Sequence, residues 1–590
     1  MKQFFITVIG TIIGLFIFVF LFFFLIIGMI TASASSAEKA NDPGNAYLLS
    51  LDLRAPLQDH SSGDSLFGPS PANIVDTIRA LNQAKNDNEV KGLFIRANHF
   101  GMVPASAEEL RLAIADFRQS GKFVITHSQG FDNTTLSNYM AIAGSDEIWL
   151  QASAGFAPTG YRSEVDFYGG TLEKFGVKAE FEQFHEYKNA PNSYLQTGLT
   201  DSHREATTSL LTSLYDTSIA HIAQDRDLET SALINILNTS PLSAETALEA
   251  KLIDKLGHYQ TALDYARTKA GDPEMKLRTV TSYGVLGYNT GPVIAFIGGQ
   301  GAVTLGRSLS GISPFSPAVT MGGDTLASAI RMAAKDESVK AIVFRVSTTG
   351  GSPVAADQIH NAITYAQEAG KPVIVSMGQY AASAGYYVAA PADHIVAMPT
   401  TITGSIGVFG GKIALRDAYA KLDYNVDHIA IGGEYLNAFS TDEPFTDYQR
   451  EVYRATLQNI YDDFTNVVAQ GRNLPMSKVQ DIAKGRVWPG QEALEIGLVD
   501  SHGGILSAID KAKELANIEP DTKIYLKTFP RPKTTQQQLQ EILSVSAAIG
   551  SDLETLRAVQ NLPEVQALID ARNALNLSGQ ELKAHIPDIK

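Results

Sequence analysis

A chain of 590 residues is too long for a single hydrophobic core, so two or more domains are expected. Its 44% apolar and 19% charged residues are those of a globular protein, and a formal charge of -16 argues against a nucleic-acid partner, because phosphate binding needs a basic face. The chain has no cysteine, which excludes disulfides, thiolate nucleophiles and Cys-ligated metals and fits an oxidising compartment.

In chain order, the first signal is apolar. Residues 4–30 carry no charge and include the run FIFVFLFFFLIIGMI. As a helix this stretch would reach about 40 Å, enough to cross a hydrocarbon layer of roughly 30 Å. Thr31-Ala32-Ser33-Ala34 would suit signal cleavage, but the apolar run is longer than the roughly 7–15 residues of a cleavable segment. The expectation is therefore an uncleaved anchor over residues 1–31, followed by a linker over 32–45. Lys2 precedes the span, while Glu38, Lys39 and Asp42 follow it, which puts the N-terminus in the cytoplasm and the bulk of the chain outside.

Beyond the linker the sequence repeats itself. Val90-Lys91-Gly92-Leu93-Phe94-Ile95-Arg96 matches Val339-Lys340-Ala341-Ile342-Val343-Phe344-Arg345 at an offset of 249. Gly121-Lys122-Phe123-Val124-Ile125 matches Gly370-Lys371-Pro372-Val373-Ile374 at the same offset. Ala247-Leu248-Glu249-Ala250-Lys251-Leu252-Ile253-Asp254 matches Ala493-Leu494-Glu495-Ile496-Gly497-Leu498-Val499-Asp500 at an offset of 246. An N-terminal unit over 46–280, a linker over 281–290 and a C-terminal unit over 291–518 follow, with a tail over 519–590. In the second unit, residues 293–297, 341–346, 373–377 and 394–397 read as buried strands. Residues 325–334 and 355–368 have helical spacing, so the class is α/β with a mostly parallel sheet. The tail has a helical stretch at 536–549 and no chemical signature.

The stretch Ala381-Ala382-Ser383-Ala384-Gly385-Tyr386 follows a buried strand and opens a helical segment. A serine at such a turn needs small neighbours, so that Oγ is exposed and a carbonyl can approach. The amide of Ala384 would then lie at a helix N-terminus, where it can meet an oxyanion. Gly350-Gly351, in a second turn after the strand ending at Val346, could supply another amide; the plain alternative is a glycine loop. Comparison of the halves separates these readings. Glu434-Tyr435-Leu436-Asn437-Ala438 aligns with Glu186-Tyr187-Lys188-Asn189-Ala190, so a lysine stands where the other half has leucine. Aligning Tyr139 with Tyr386 puts Leu136 opposite Ser383, so each half lacks what the other supplies. Such complementary loss is what one shared site between two repeats would leave. A serine needs a base, and lysine serves when burial lowers its pKa towards 7.

Other patterns fall short. HExxH is absent, Gly299-Gln300-Gly301-Ala302-Val303-Thr304 lacks the last glycine of a dinucleotide loop, and Gly411-Lys412-Ile413 lacks P-loop spacing. No cofactor or metal site is expected. His127 and His185 lie nearest the candidate site, and with no Asp–His pairing to be inferred they are read as structural or solvent-facing.

These motifs, with Thr403-Gly404-Ser405-Ile406-Gly407 and Gly485-Arg486-Val487-Trp488-Pro489-Gly490-Gln491, resemble the signal peptide peptidase A (protease IV) family in its long, two-repeat form. The resemblance implies two tandem ClpP/crotonase-like repeats, with Ser383 as nucleophile, Lys188 as base and Ser405 orienting the lysine. It implies a homotetramer at the bacterial inner membrane, with periplasmic catalytic domains that cleave remnant signal peptides. Two departures stand out: Ala384 replaces the usual glycine, and Ser347-Thr348-Thr349-Gly350-Gly351 replaces Asn-Ser-Pro-Gly-Gly. The alternative class is a catalytically silent crotonase-like scaffold that binds peptides or membrane proteins.

Overall fold

Short runs of β-branched and aromatic residues, buried on both faces, build two mainly parallel sheets, one per half. In this computed structural model residues 46–60, 72–97, 101–132, 134–284, 291–309 and 319–531 are described. The expected anchor, the linker after it and the helical stretch at 536–549 lie outside them. Among the described residues no helix is long and apolar enough to cross a membrane.

The first sheet has six strands in the order Lys255–Leu256, Glu147–Leu150, Phe123–Ser128, Val90–Arg96, Tyr47–Asp52, Lys276–Thr279, all parallel. The second repeats that order with Ser501–His502, His394–Ala397, Val373–Ala382, Val339–Thr348, Val293–Gln300 and Tyr525–Phe529. The second sheet thus extends past residue 518 through its Tyr525–Phe529 strand. Equivalent tertiary bonds recur as well. Tyr139 donates to the carbonyl of Leu252 as Tyr386 does to that of Leu498, and Arg226 pairs with Asp254 as Arg472 does with Asp500.

Strand Val373–Ala382 is longer than the run 373–377 read from the sequence. Its first part pairs with His394–Ala397; its last residues, Tyr380–Ala382, turn instead to Ile402–Gly404. The register slips opposite Val346 and Thr348, so the strand bends and ends directly at Ser383. Small residues there leave room for this second partner, and the same smallness reads as a turn in sequence.

Alternation along the strands divides the second sheet's faces. Ala295, Ile297, Ile342, Phe344 and Val375 pack under the helices Gly323–Lys335 and Pro353–Glu368. Ile294, Phe296, Ala341, Val343 and Ile374 join the core of the first half, together with helix Ile505–Leu515. The halves therefore share a core. On that shared face Arg345 is 1% exposed, and it donates to Asp59 at 2.7 Å and Glu109 at 2.9 Å from the first half, and to Ser376 at 2.9 Å. Glu109 also accepts the Ile505 amide at 2.6 Å, at the positive end of that helix.

A second seam joins the halves. Lys178–Phe184 of the first runs antiparallel to Val408–Ala414 of the second, with Phe184 opposite Val408. Arg450 and Arg454, on helix Asp447–Gly471, bind Glu180 and Glu182 of the incoming strand. That helix starts in a capping box of Thr446 and Gln449, and its first-half counterpart Asp201–Arg226 is capped by Thr200.

Candidate active site

The seam strand ends at Phe184, and the turn that follows carries Lys188 across into the second half. Three contacts seat that turn. The amides of His185 and Tyr187 donate to the Lys484 carbonyl, and the Lys188 amide donates back to His185. Gly485 lies so close that a Cβ there would sit 2.5–2.7 Å from Lys188 backbone and Cβ atoms, and its φ of +86 is one that glycine adopts freely. Gly485 opens the motif Gly485-Arg486-Val487-Trp488-Pro489-Gly490-Gln491, and its contact with Lys188 gives that glycine a role in seating the base.

Ser383 caps the short helix Ala384–Ala389 with φ +54 and ψ -120, and Ser405 has φ +51. Non-glycine residues in such conformations are strained and collect at functional sites. Each is pinned by its amide, Ser383 to the Gly404 carbonyl at 2.8 Å and Ser405 to the Arg486 carbonyl at 2.7 Å. The strand Val487–Pro489, antiparallel to Ile402–Gly404, thus holds the Ser405 turn.

Lys188 Nζ lies 3.0 Å from Ser383 Oγ, 3.0 Å from Ser405 Oγ and 2.8 Å from the Ser405 carbonyl oxygen. Lys188 is 3% exposed, and burial lowers its pKa to about 7. The three partners match a neutral amine. Two N–H bonds donate to the Ser405 oxygens, and the lone pair is left for the Ser383 hydroxyl proton.

Gly350 backs onto the serine, and a Cβ there would stand 2.8 Å from Ser383 Cβ. Its φ is +123 and that of Gly351 is +150. Its amide already donates to Thr348 Oγ1 at 3.1 Å, which removes it as a free oxyanion donor. The amides of Gly351 and Ala384 make no hydrogen bond among the described residues. Thr348 replaces the serine of the family turn, and its hydroxyl takes this amide, a detail of side-chain geometry with no sequence signal.

The counterpart of Ser383, Leu136, is fully buried, and the counterpart of Lys188, Leu436, is exposed. Neither histidine imidazole bonds to Lys188 or Ser383. His127 is held to the Gly257 carbonyl with its pKa pushed by burial to about 4, and His185 packs edge-on to Tyr461. Among the described residues, the potential metal-ligating atoms that come together are those of His428, Asp442 and Glu443, and Glu443 is already paired with Arg416.

A family profile described as peptidase family S49 matches residues 116–271 and 365–519, one segment in each half. The chain is 28% identical to "Protease 4" of Salmonella typhi over 565 residues, covering 91% of this chain and 88% of that protein. It is 28% identical to "Serine protease SPPA, chloroplastic" of Arabidopsis thaliana over 543 residues, covering 89% and 77%. "Protease 4" of Haemophilus influenzae is 28% identical over 474 residues, covering 77% and 75%.

Proposed function

The chain belongs to peptidase family S49 and is a serine protease, and from that premise we propose that Ser383 is its nucleophile and Lys188 its general base. The observation that carries this is the 3.0 Å approach of a buried lysine to a strained serine, with burial as the cause of the lysine's lowered pKa. Neutral Lys188 takes the Ser383 hydroxyl proton as Oγ attacks a peptide carbonyl carbon. The tetrahedral oxyanion is met by the Gly351 and Ala384 amides. As the C–N bond breaks, Lys188 returns the proton to the leaving amine. It then deprotonates the water that hydrolyses the acyl-enzyme, while Ser405 holds Nζ in line.

Each repeat is read as a ClpP/crotonase-type domain, 46–280 and 291–518, with 281–290 as linker. Residues 1–31 are read as a single-pass anchor in the bacterial inner membrane, 32–45 as a linker that leaves the catalytic domains periplasmic, and 519–590 as the C-terminal tail, whose Tyr525–Phe529 strand completes the second sheet. The protein is read as a homotetramer whose substrates are cleaved signal peptides and other apolar peptides.

An acylating activity-based probe tests the dyad directly. We expect one adduct, mapped to Ser383, and none in Ser383→Ala; labelling that persists in the variant would sink the assignment, and an unlabelled wild-type protein would favour the silent scaffold. The rate should also depend on pH in one direction. The base works when neutral, so kcat/KM should fall about tenfold per unit below about pH 7 and level off above it. A flat profile between pH 5.5 and 8 would exclude Lys188 as the base.

A further inference from the structure

Between the turn that bears Lys188 and the turn that bears Ser405 runs one short strip of chain, residues 484–486. The Lys484 carbonyl accepts the His185 and Tyr187 amides at 3.4 and 3.1 Å, and the Gly485 amide donates to the Ile406 carbonyl at 2.9 Å. The Arg486 carbonyl accepts the Ser405 amide at 2.7 Å. The strip is thus a spacer that sets how far the amine stands from Ser405 and Ser383.

The side chain of Arg486 ties the same parts together from the other side. Its guanidinium lies 5.4 Å from the ring centroid of Tyr187 and 4.5 Å from that of Trp488. Tyr187 precedes the base in the chain. Trp488 packs on Gly404, where a Cβ would stand 2.6 Å from the indole Cδ1, and the Gly404 carbonyl is the one that pins the Ser383 amide. Tyr187, Arg486 and Trp488 therefore form one stack from base to nucleophile. Helix Asp201–Arg226 of the first half holds the stack from outside. Glu205 accepts from Arg486 Nη1 at 2.7 and 2.9 Å, and one turn earlier Ser202 Oγ donates to the Glu186 carbonyl at 2.8 Å.

Two observations set this stack apart from ordinary packing. Arg486 Nε and Trp488 Nε1 are buried with no hydrogen-bond partner among the described residues, a cost that packing for stability alone avoids. At the offset of 246, Gly485, Arg486 and Trp488 fall on Thr239, Ser240 and Leu242, so the half without a nucleophile has none of the three. A cavity lined by Tyr187, Lys484, Arg486 and Trp488 opens beside the stack, and Lys188 is not among its walls.

We propose that Arg486, anchored by Glu205, is a positioning residue that clamps the Lys188 turn against the Ser405 and Ser383 turns and keeps water from the amine. The inference rests on Ser383 and Lys188 being nucleophile and base. Charged groups stand all around the base turn, namely His185, Glu186, Asp481, Lys484, Arg486 and Glu205, yet burial is the cause of the lysine's lowered pKa. Opening the clamp admits water and raises that pKa towards its ordinary value, while the Ser383 hydroxyl is left in place.

The rate at which the acylating probe labels Ser383 in the full-length protein, followed from pH 5.5 to 9.5, tests this. Arg486→Ala should move the midpoint of the acid limb up by about one unit, so that labelling falls about fivefold at pH 7 and returns to within about twofold of wild type at pH 9. A purely structural loss would lower the rate equally at every pH. Glu205→Ala, at a half-exposed position outside the site, should shift the midpoint the same way by about half a unit. Should Arg486→Ala fail to fold, the Glu205→Ala midpoint decides alone. A limb present in wild type and unmoved in the variants would overturn the clamp and leave the dyad standing; a limb absent from wild type would overturn both.

Discussion

Lys188→Met is expected to abolish turnover and to stabilise the fold at the same time. Loss of the proposed base should cost about 10²–10⁴ in kcat/KM, the usual share of general-base catalysis. Stability should move the other way, for a reason of proton linkage. The folded lysine has its pKa lowered by burial from 10.5 to about 7. Between those values the unfolded chain holds a proton that the folded chain lacks, so stability rises with pH across that window. As pH falls from about 10.5 to 7 the penalty grows, and below 7 it is constant at about 4–5 kcal/mol. Methionine removes it but strands the Ser405 oxygens that Nζ had satisfied, returning about 1–3 kcal/mol. A net gain of about 2–3 kcal/mol is expected at pH 6, shrinking to nothing near about pH 9 and reversing above it. Urea unfolding at several pH values checks this; a variant less stable than wild type at pH 6 would refute it.

Arg345→Met is expected to cost about 3–5 kcal/mol, among the largest losses available to a single residue here. Burial works against the guanidinium charge, yet Asp59 and Glu109 outweigh it and hold its pKa above the ordinary value. Burial likewise opposes ionisation of Asp59, and Arg345 overcomes it, keeping that carboxyl well below the usual range. Asp59 therefore contributes stability above about pH 4 that is lost as pH falls. Removing the arginine leaves two carboxylates buried without their cation, across the face that joins the halves. Adding Asp59→Asn and Glu109→Gln to Arg345→Met should recover most of the loss, since a buried cluster is costly to break and cheap to replace whole. Denaturant unfolding of the single and triple variants decides it; a loss under about 1 kcal/mol for Arg345→Met would show that the cluster does not tie the halves together.

The same residue marks how far the sequence could be read. Arg96 and Arg345 end matching segments, and nothing in those segments separates them. One lies over the Tyr259 ring with its centroid 4.3 Å away and the other is fully buried, because only the second half's sheet faces another domain. The repeated strands and helices were legible, since runs buried on both faces leave apolar segments of the right length. Lys188 and Ser383 were brought together by what each half lacked. The seam that carries Lys188 to Ser383 was not legible, because Lys178–Phe184 and Val408–Ala414 pair across more than 200 residues and their partly polar sequences carry no mark of each other. Nor was the part played by Gly485, which depends on how close another segment comes rather than on its own neighbours.

Base and nucleophile stand 195 positions apart, one delivered by a strand from the first half and the other by the bend of a strand in the second. On the proposed mechanism this separation orders events in time. The half that carries the base is synthesised first and is inert by itself; the half that carries the serine becomes competent only once the seam has closed upon it. Hydrolysis thus requires two folding events to coincide, which protects neighbouring unfolded chains from attack while the protein is still being made. Recovery of probe labelling during refolding would then report docking of the halves rather than folding of either one.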